Sequence, residues 1–303
     1  MDGFRKLLVP LDGSRLAESV LPITLVLAKS FGATVALLHV MEQDAPETVH
    51  GQHHLANAEE AESYLAKVAE TCDCEGILVE LHVHPNLESD VVASIIGHSE
   101  EFGADAVILA THGWGGMRDI LVGSIAQQVL RRGTKPVLLV KPSPDGAAQP
   151  LDLRRVLVPL DGSRSHDQTV LPVAEGLARA MSVELRLLVV VPTLGTVAGD
   201  KAAVATLMPS ATSAALELEQ EDAASYLEEV AGRLRAEGVA TTAEVRRGEP
   251  ASGVVAAAQS RGVGLIVMST HARSGLGALW SASVGAKILA KIHQPLLLVR
   301  VQD

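Results

Sequence analysis

Aromatic side chains are almost missing from this chain: two Trp, two Tyr and three Phe serve 303 residues. A core of normal density must then be filled by Val, Leu, Ile and Ala, the usual filling of parallel sheets covered by helices. Cysteine is nearly absent too. Cys72 and Cys74 are the two in the chain, too close together for an ordinary structural disulfide, and a reducing cytoplasm is the simplest home for such a sequence. Basic residues are outnumbered, 25 Lys and Arg against 36 Asp and Glu, for a formal net charge of −11. That field repels DNA and RNA, and no local basic stripe offsets it. Anionic membrane surfaces are disfavoured on the same ground. No apolar run approaches the ~20 residues that span a bilayer. The opening Met-Asp-Gly-Phe-Arg-Lys runs into a strand pattern and does not read as a secretory leader.

What the chain has in abundance is repetition. Lys6-Leu-Leu-Val-Pro-Leu-Asp-Gly-Ser-Arg15 recurs as Arg155-Val-Leu-Val-Pro-Leu-Asp-Gly-Ser-Arg164, an offset of 149 with eight of ten residues identical. Val20-Leu-Pro22 recurs as Val170-Leu-Pro172, and Thr111-His112 as Thr270-His271. Lys135-Pro-Val-Leu-Leu-Val140 answers to Gln294-Pro-Leu-Leu-Leu-Val299 at an offset of 159, so the second copy is about ten residues longer. The Gly/Ala/Ser/Thr-rich stretch from Thr193 to Ser213 is the natural place for the extra length. A repeat of this size is a whole domain and not a solenoid unit. With 48% hydrophobic and 20% charged residues, each copy can bury its own core. The expected division is 1–142, a Pro/Gly linker over 143–153, and 154–303.

Within the first copy, short apolar runs alternate with longer helical patterns. Strands are predicted over 6–11, 34–40, 77–83, 106–110 and 137–140, and helices over 16–30, 56–72, 89–102 and 124–131. Such alternation implies right-handed βαβ units and a parallel sheet. The fold class is therefore α/β: two tandem doubly wound domains, each a five-stranded parallel sheet of order 3-2-1-4-5 with helices on both faces. Ligands of such sheets bind at the carboxyl ends of strands one and four, where the strand order reverses. The wholly apolar last strands of the two copies would be hazardous as free edges. They are expected to cover each other as a pseudo-two-fold dimer within one chain, and a further homodimer of whole chains is compatible with this.

After strand one comes Asp12-Gly13-Ser14, repeated as Asp161-Gly162-Ser163. It reads either as a tight turn with Ser14 capping the helix, or as a loop whose Asp12 accepts hydrogen bonds from a ribose or adenine edge. After strand four comes a glycine-rich loop from Ala110 through Gly113, Gly115 and Gly116 to Gly123-Ser124, followed by a helix. Glycines admit a close approach of phosphate oxygens, and a helix start offers free N–H groups and a positive dipole end. The alternative is a plain surface loop with a Ser cap. No Gly-x4-Gly-Lys-Ser/Thr is present, and the glycine spacing after strand four is not the dinucleotide-binding one.

These two loops resemble those of ATP-binding universal stress proteins, whose marks are Asp-Gly-Ser near the start and Gly-x2-Gly-x9-Gly-Ser/Thr after strand four. Here the second reads Ala110-x2-Gly113-x9-Gly123-Ser124, with alanine for the first glycine. The resemblance covers nearly all of both copies. It implies adenosine at Asp12 and at the backbone around Pro10 and Val40. It implies phosphates at Gly113, Gly123, Ser124 and the amide of Ile125, with Mg²⁺ carried by the phosphates. Trp114 stands where an Arg often follows the second motif glycine, and Arg118 is the nearby substitute. In the second copy Ser269, Ala272 and Ala282 replace all three glycines while Ser283 remains, so that copy is expected to bind ATP weakly or not at all.

Other polar clusters carry less. His50, His53 and His54 precede a helix, and His82 and His84 alternate on a strand near Cys72 and Cys74, but no complete four-ligand spacing appears. No metal site is assigned from the spacing. Thr111-His112 persists in the copy that lost its glycines, which favours a structural role over acid–base work. No nucleophile–base pair is visible, so no catalytic residue is assigned. The sequence thus points to an adenine-nucleotide-binding, stress-responsive sensor or regulator of the cytoplasm. The alternatives are a nucleotide-free interaction module, or a slow ATPase or adenylyl- or phosphoryl-transfer enzyme.

Overall fold

The computed structural model describes residues 3–43, 48–49, 52–53, 55, 57–73, 75–111, 124–143, 151–197, 199–260, 262–270 and 284–301. The first half runs β1 (Lys6–Pro10), α1 (Arg15–Glu18), α2 (Leu21–Phe31), β2 (Thr34–Glu42), a short pair β3 (Thr48–Val49) and β4 (Gln52–His53), α3 (Ala58–Asp73), β5 (Val79–Glu88), α4 (Val91–Glu101), β6 (Ala106–Ala110), α5 (Ser124–Arg132) and β7 (Val137–Val140). The second runs β8 (Arg155–Leu160), α6 (Arg164–Met181), β9 (Glu184–Val191), α7 (Asp200–Leu207), α8 (Pro209–Ala236), β10 (Thr241–Arg247), α9 (Pro250–Ala258), β11 (Val263–Thr270), α10 (Val284–Lys291) and β12 (Leu296–Arg300). Among the described residues, no helix is long and apolar enough to cross a membrane.

The strand order is β10-β9-β8-β11-β12-β7-β6-β1-β2-β5. Each half has the predicted 3-2-1-4-5 order with parallel neighbours, and β7 and β12 join the halves by antiparallel pairing, Leu138 opposite Leu297. The result is one mixed ten-stranded sheet. Alternation along the joined strands sends Leu138, Val140, Leu297 and Val299 into one core layer, with Ile23 and Leu65 of the first half and Leu177 and Leu227 of the second. Val137, Leu139, Leu296 and Leu298 enter the opposite layer, against α4, α5, α9 and α10. Both layers pass through the joint, so the hydrophobic core is continuous between the halves. Two hydrogen bonds repeat the pseudo-two-fold: Lys141 Nζ donates to the Ala290 carbonyl at 3.2 Å, and Arg300 Nη1 donates to the Gly133 carbonyl.

The repeat is not perfect in its helices. The predicted helix over 16–30 is two helices, α1 and α2, with Pro22 in the first turn of α2, where its missing N–H costs nothing. Ser19 closes α1 by donating from its hydroxyl to the Leu16 carbonyl at 2.6 Å, the local bond by which serine competes with helix. The second half has Thr169 at the matching place and one more residue between its Asp-Gly-Ser turn and the proline, and α6 continues through Pro172. The added length over 193–213 is largely helical, forming α7 and the start of a 28-residue α8. Runs of Ala and Leu between the small polar residues supply the helix propensity.

In each half a tyrosine of the helix after strand two lies beside an acid of the first helical segment. The chain's two tyrosines, Tyr64 on α3 and Tyr226 on α8, occupy matching places. Tyr226 donates from its hydroxyl to Asp167 at 2.5 Å, and Asp167 is 2% exposed. Burial and the neighbouring Asp167 push the phenol well above its ordinary range. Tyr64 is raised in the same direction by burial and by Glu18, with a smaller push from Asp12.

Three substitutions test this architecture. Leu138→Ala should cost about 3 kcal/mol in urea unfolding of the full chain, the usual cost of a cavity under a fully buried leucine; a loss below 1 kcal/mol would show that the joint is not packed as described. Tyr226→Phe should cost about 2 kcal/mol by the same measurement, because it strips a buried carboxylate of a donor. Tyr64→Phe, which removes a buried hydroxyl lying among acids, should cost less.

Candidate functional site

The crevice of the first half follows from how β1 is shared. β1 pairs with β2 as far as Pro10 opposite Leu38, whereas its register with β6 covers Leu7 and Leu8 alone. Beyond that point the strands part. The Leu11 amide donates to Leu38 at 2.8 Å on one side, and the Thr111 amide donates to Val140 at 2.7 Å on the other. A gap therefore opens between the carboxyl ends of β1 and β6, the switch point at which open α/β sheets take ligands.

Asp12-Gly13-Ser14 lines the β1 side. Asp12 Oδ1 accepts from the Ser14 amide at 2.9 Å, and Ser14 Oγ accepts from the Ala17 amide at 3.1 Å, capping α1. Gly13 takes φ +87°, and a Cβ there would also meet Leu55 Cγ at 3.0 Å, so the position demands glycine on two counts. The second half forms the same turn, Asp161 Oδ1 accepting from Ser163 at 2.8 Å with Gly162 at φ +76°. The turn is thus formed in both halves, while the side-chain cap of the following helix is made by Ser14 and not by Ser163. A carboxylate has two oxygens, and the turn leaves Asp12 acceptor capacity for a ligand.

The remaining predicted residues divide into four groups. Pro10 is half-buried at the end of β1. Val40 is 8% exposed and packs in the core layer that Ile125 also touches, so either could serve a ligand through backbone alone. The β2–β5 register shifts between Val40 and Glu42, which ends the regular ladder at that point. Ser124 is the first residue of α5; because α5 lies between the parallel strands β6 and β7, its amino terminus faces the carboxyl edge of the sheet. Gly113 and Gly123, with Trp114, Arg118 and His112, lie outside the described residues, as do Ala272, Ala282 and Ser283 of the second half.

Sequence reasoning passed over three features. His39, 2% exposed under the first loop, donates from Nδ1 to the Leu11 carbonyl at 2.8 Å; its signal was a histidine inside the apolar run of β2, and Val189 holds the matching place in the second half. The matching tyrosines were encoded in Ser63-Tyr64-Leu65 and Ser225-Tyr226-Leu227, a further stretch of the repeat. The third is a meeting of His82 and His84 with His98 of α4. Of the earlier metal candidates, Cys72 is a buried free thiol whose pKa burial raises, which makes it a packing residue. His50, His54 and Cys74 lie outside the described residues.

Comparison with known proteins agrees with this geometry at the level of family. The model of the universal stress protein family matches residues 3–141 and again 152–300. Universal stress protein MJ0531 of Methanocaldococcus jannaschii is 27% identical over 143 residues, covering 46% of this chain and 82% of that protein. Universal stress protein YxiE of Bacillus subtilis is 26% identical over 150 residues, covering 46% of this chain and 99% of that one. The crystal structure of a universal stress protein from Archaeoglobus fulgidus shares the fold across both halves, with TM-score 0.70 and 22% identity over 98% of this chain and 97% of that chain. The chain belongs to the universal stress protein family and carries two of its domains in tandem.

Proposed function

We propose that the protein is an ATP-binding sensor or regulator of the stress response, and that its first half alone holds the nucleotide. The observation that carries nucleotide binding is the parting of β1 and β6, with the Asp12 turn on one side and the start of α5 on the other; β8 and β11 part at the matching residue, so the restriction to the first half rests on the glycines of its loop. Asp12 and the backbone at Pro10 and Val40 would hold the adenosine. Gly113, Gly123, Ser124 and the Ile125 amide would hold the phosphates, an arrangement suited to anions because the first N–H groups of a helix lack internal partners. Mg²⁺ would enter with the phosphates, which supply the oxygen ligands it prefers.

The second half keeps the turn but has Ala272 and Ala282 where the first has Gly113 and Gly123. Methyl groups at both places obstruct the close backbone approach that phosphates need. One specific observation favours a nucleotide-free module instead: the Asp-Gly-Ser turn is formed equally well in the half with the altered loop.

Calorimetric titration of the full chain with Mg–ATP separates the readings. One nucleotide per chain is expected, weakened at least tenfold by Gly123→Val, which places a branched side chain beside the phosphates, and unchanged by Ala282→Val. Absence of binding, two equivalent sites, or indifference to Gly123→Val would each refute the proposal. Steady multiple-turnover product formation would move the assignment to an enzyme.

A further inference from the structure

At the outer edge of the first half-sheet, three histidines meet on a surface unrelated to the switch-point crevice. His82 and His84 are two apart on β5, so they share one face, and α4 lays the largely buried His98 over them. His98 Nε2 lies 3.0 Å from His84 Nδ1. The ring of His82 lies 4.6 Å from that of His98 by centroid, and Phe102 closes one side, stacked on His98 and edge-on to His82. One ligand nitrogen from each of the three rings falls within 4.8 Å of the others.

The outer nitrogens decide the chemistry of the inner ones. His84 Nε2 is 2.9 Å from Glu88 Oε1, and His98 Nδ1 is 3.0 Å from Glu101 Oε2. A carboxylate only accepts, so each of these outer nitrogens carries the proton. In neutral rings the inner nitrogens, His84 Nδ1 and His98 Nε2, are then both lone-pair bearers aimed at one another across 3.0 Å. That contact is repulsive unless a cation lies between them, either a proton that makes one ring an imidazolium or a metal ion.

We propose that His82, His84 and His98 form a binding site for a divalent transition metal ion of the zinc, cobalt or nickel class. All-imidazole ligation suits these ions and not Mg²⁺ or Ca²⁺. Zinc at ~2.0–2.1 Å from each nitrogen in a tetrahedral site holds the nitrogens about 3.3 Å apart, close to the spacing already present between His84 and His98. His82 brings the third ligand nitrogen, within 4.8 Å of the other two. Three protein ligands leave a fourth position for water. Glu88 and Glu101 fill the role of outer carboxylates that fix the tautomer and strengthen each ligand. The site is specific to the first half. Strand register places Glu244 and Arg246 where His82 and His84 stand, and Ala257 holds the position eight residues past the helix cap that His98 holds in α4.

The test is titration of the metal-free full chain with Zn²⁺ against a chromophoric chelator, with Co²⁺ absorption as an independent spectroscopic readout. One zinc per chain is expected. His82→Gln and His84→Gln should each weaken it at least tenfold, and Glu101→Gln should weaken it about tenfold by loosening His98. His98→Gln should abolish it; since His98 is buried, far-UV circular dichroism checks the fold, and the two strand variants decide the matter if that one fails to fold. No zinc binding at micromolar concentration would overturn the proposal. So would stoichiometric binding indifferent to His82→Gln and His84→Gln, which would place the metal elsewhere.

Discussion

A strand four residues long with every side chain apolar and buried cannot stand at the edge of a sheet in water, because its unpaired N–H and C=O groups would invite other chains. Val137–Val140 is such a strand, and Leu296–Arg300 is nearly so. Their antiparallel union answers both needs at once, and much of the rest follows from it. The two core layers become continuous through Leu138, Leu139, Leu297 and Leu298. The edges left over are β5 and β10, which carry polar and charged residues: His82 and His84 on one, Glu244, Arg246 and Arg247 on the other. The apolar ends were brought inward and the polar ends left outside.

With that frame common to both halves, the halves act as controls for one another. The Asx turn at Asp12 and at Asp161, and the tyrosine set beside an acid on the first helical segment, recur irrespective of what the glycine loop has become. The turn holds the loop after strand one in place, and in the second half Tyr226 ties α8 to α6. Features found once are of another kind. His39 under the loop and the three histidines at the edge belong to the first half, whereas the second half spends the matching edge on ion pairs of Arg186 and Arg246 with Glu244.

The sequence was most informative where physics is local or periodic. Strand order, the switch point and the mutual cover of the last strands all followed from apolar runs, repeat offsets and the cost of a bare edge. It was least informative where the repeat carries two different local backbones. Pro22 and Pro172 are the same residue in the same repeat position, yet one starts a helix and the other lies within one, in a segment that is one residue longer from the Asp-Gly-Ser turn to the proline. Tertiary meetings were also hidden. His98 is fourteen residues from His84, on an element of different period, and no spacing rule joins a strand residue to a helix residue across a loop. The predicted phosphate contacts at Gly113 and Gly123 belong to the candidate site by their place in the chain, while Asp12, Pro10 and Val40 belong to it by position in the fold.

Pairing β7 with β12 inside one chain also changes how the pair responds to dilution. Two separate subunits joined by such a strand contact would separate as their concentration fell, and their stability would depend on abundance. Here the partner is tethered and its effective concentration is set by the linker, not by the cell. The protein therefore keeps both half-sheets together at a few copies as at thousands. A substitution in one half is also made once and not twice. Symmetry that a homodimer would have to keep is thereby relaxed, and each half can take on chemistry that its twin need not share.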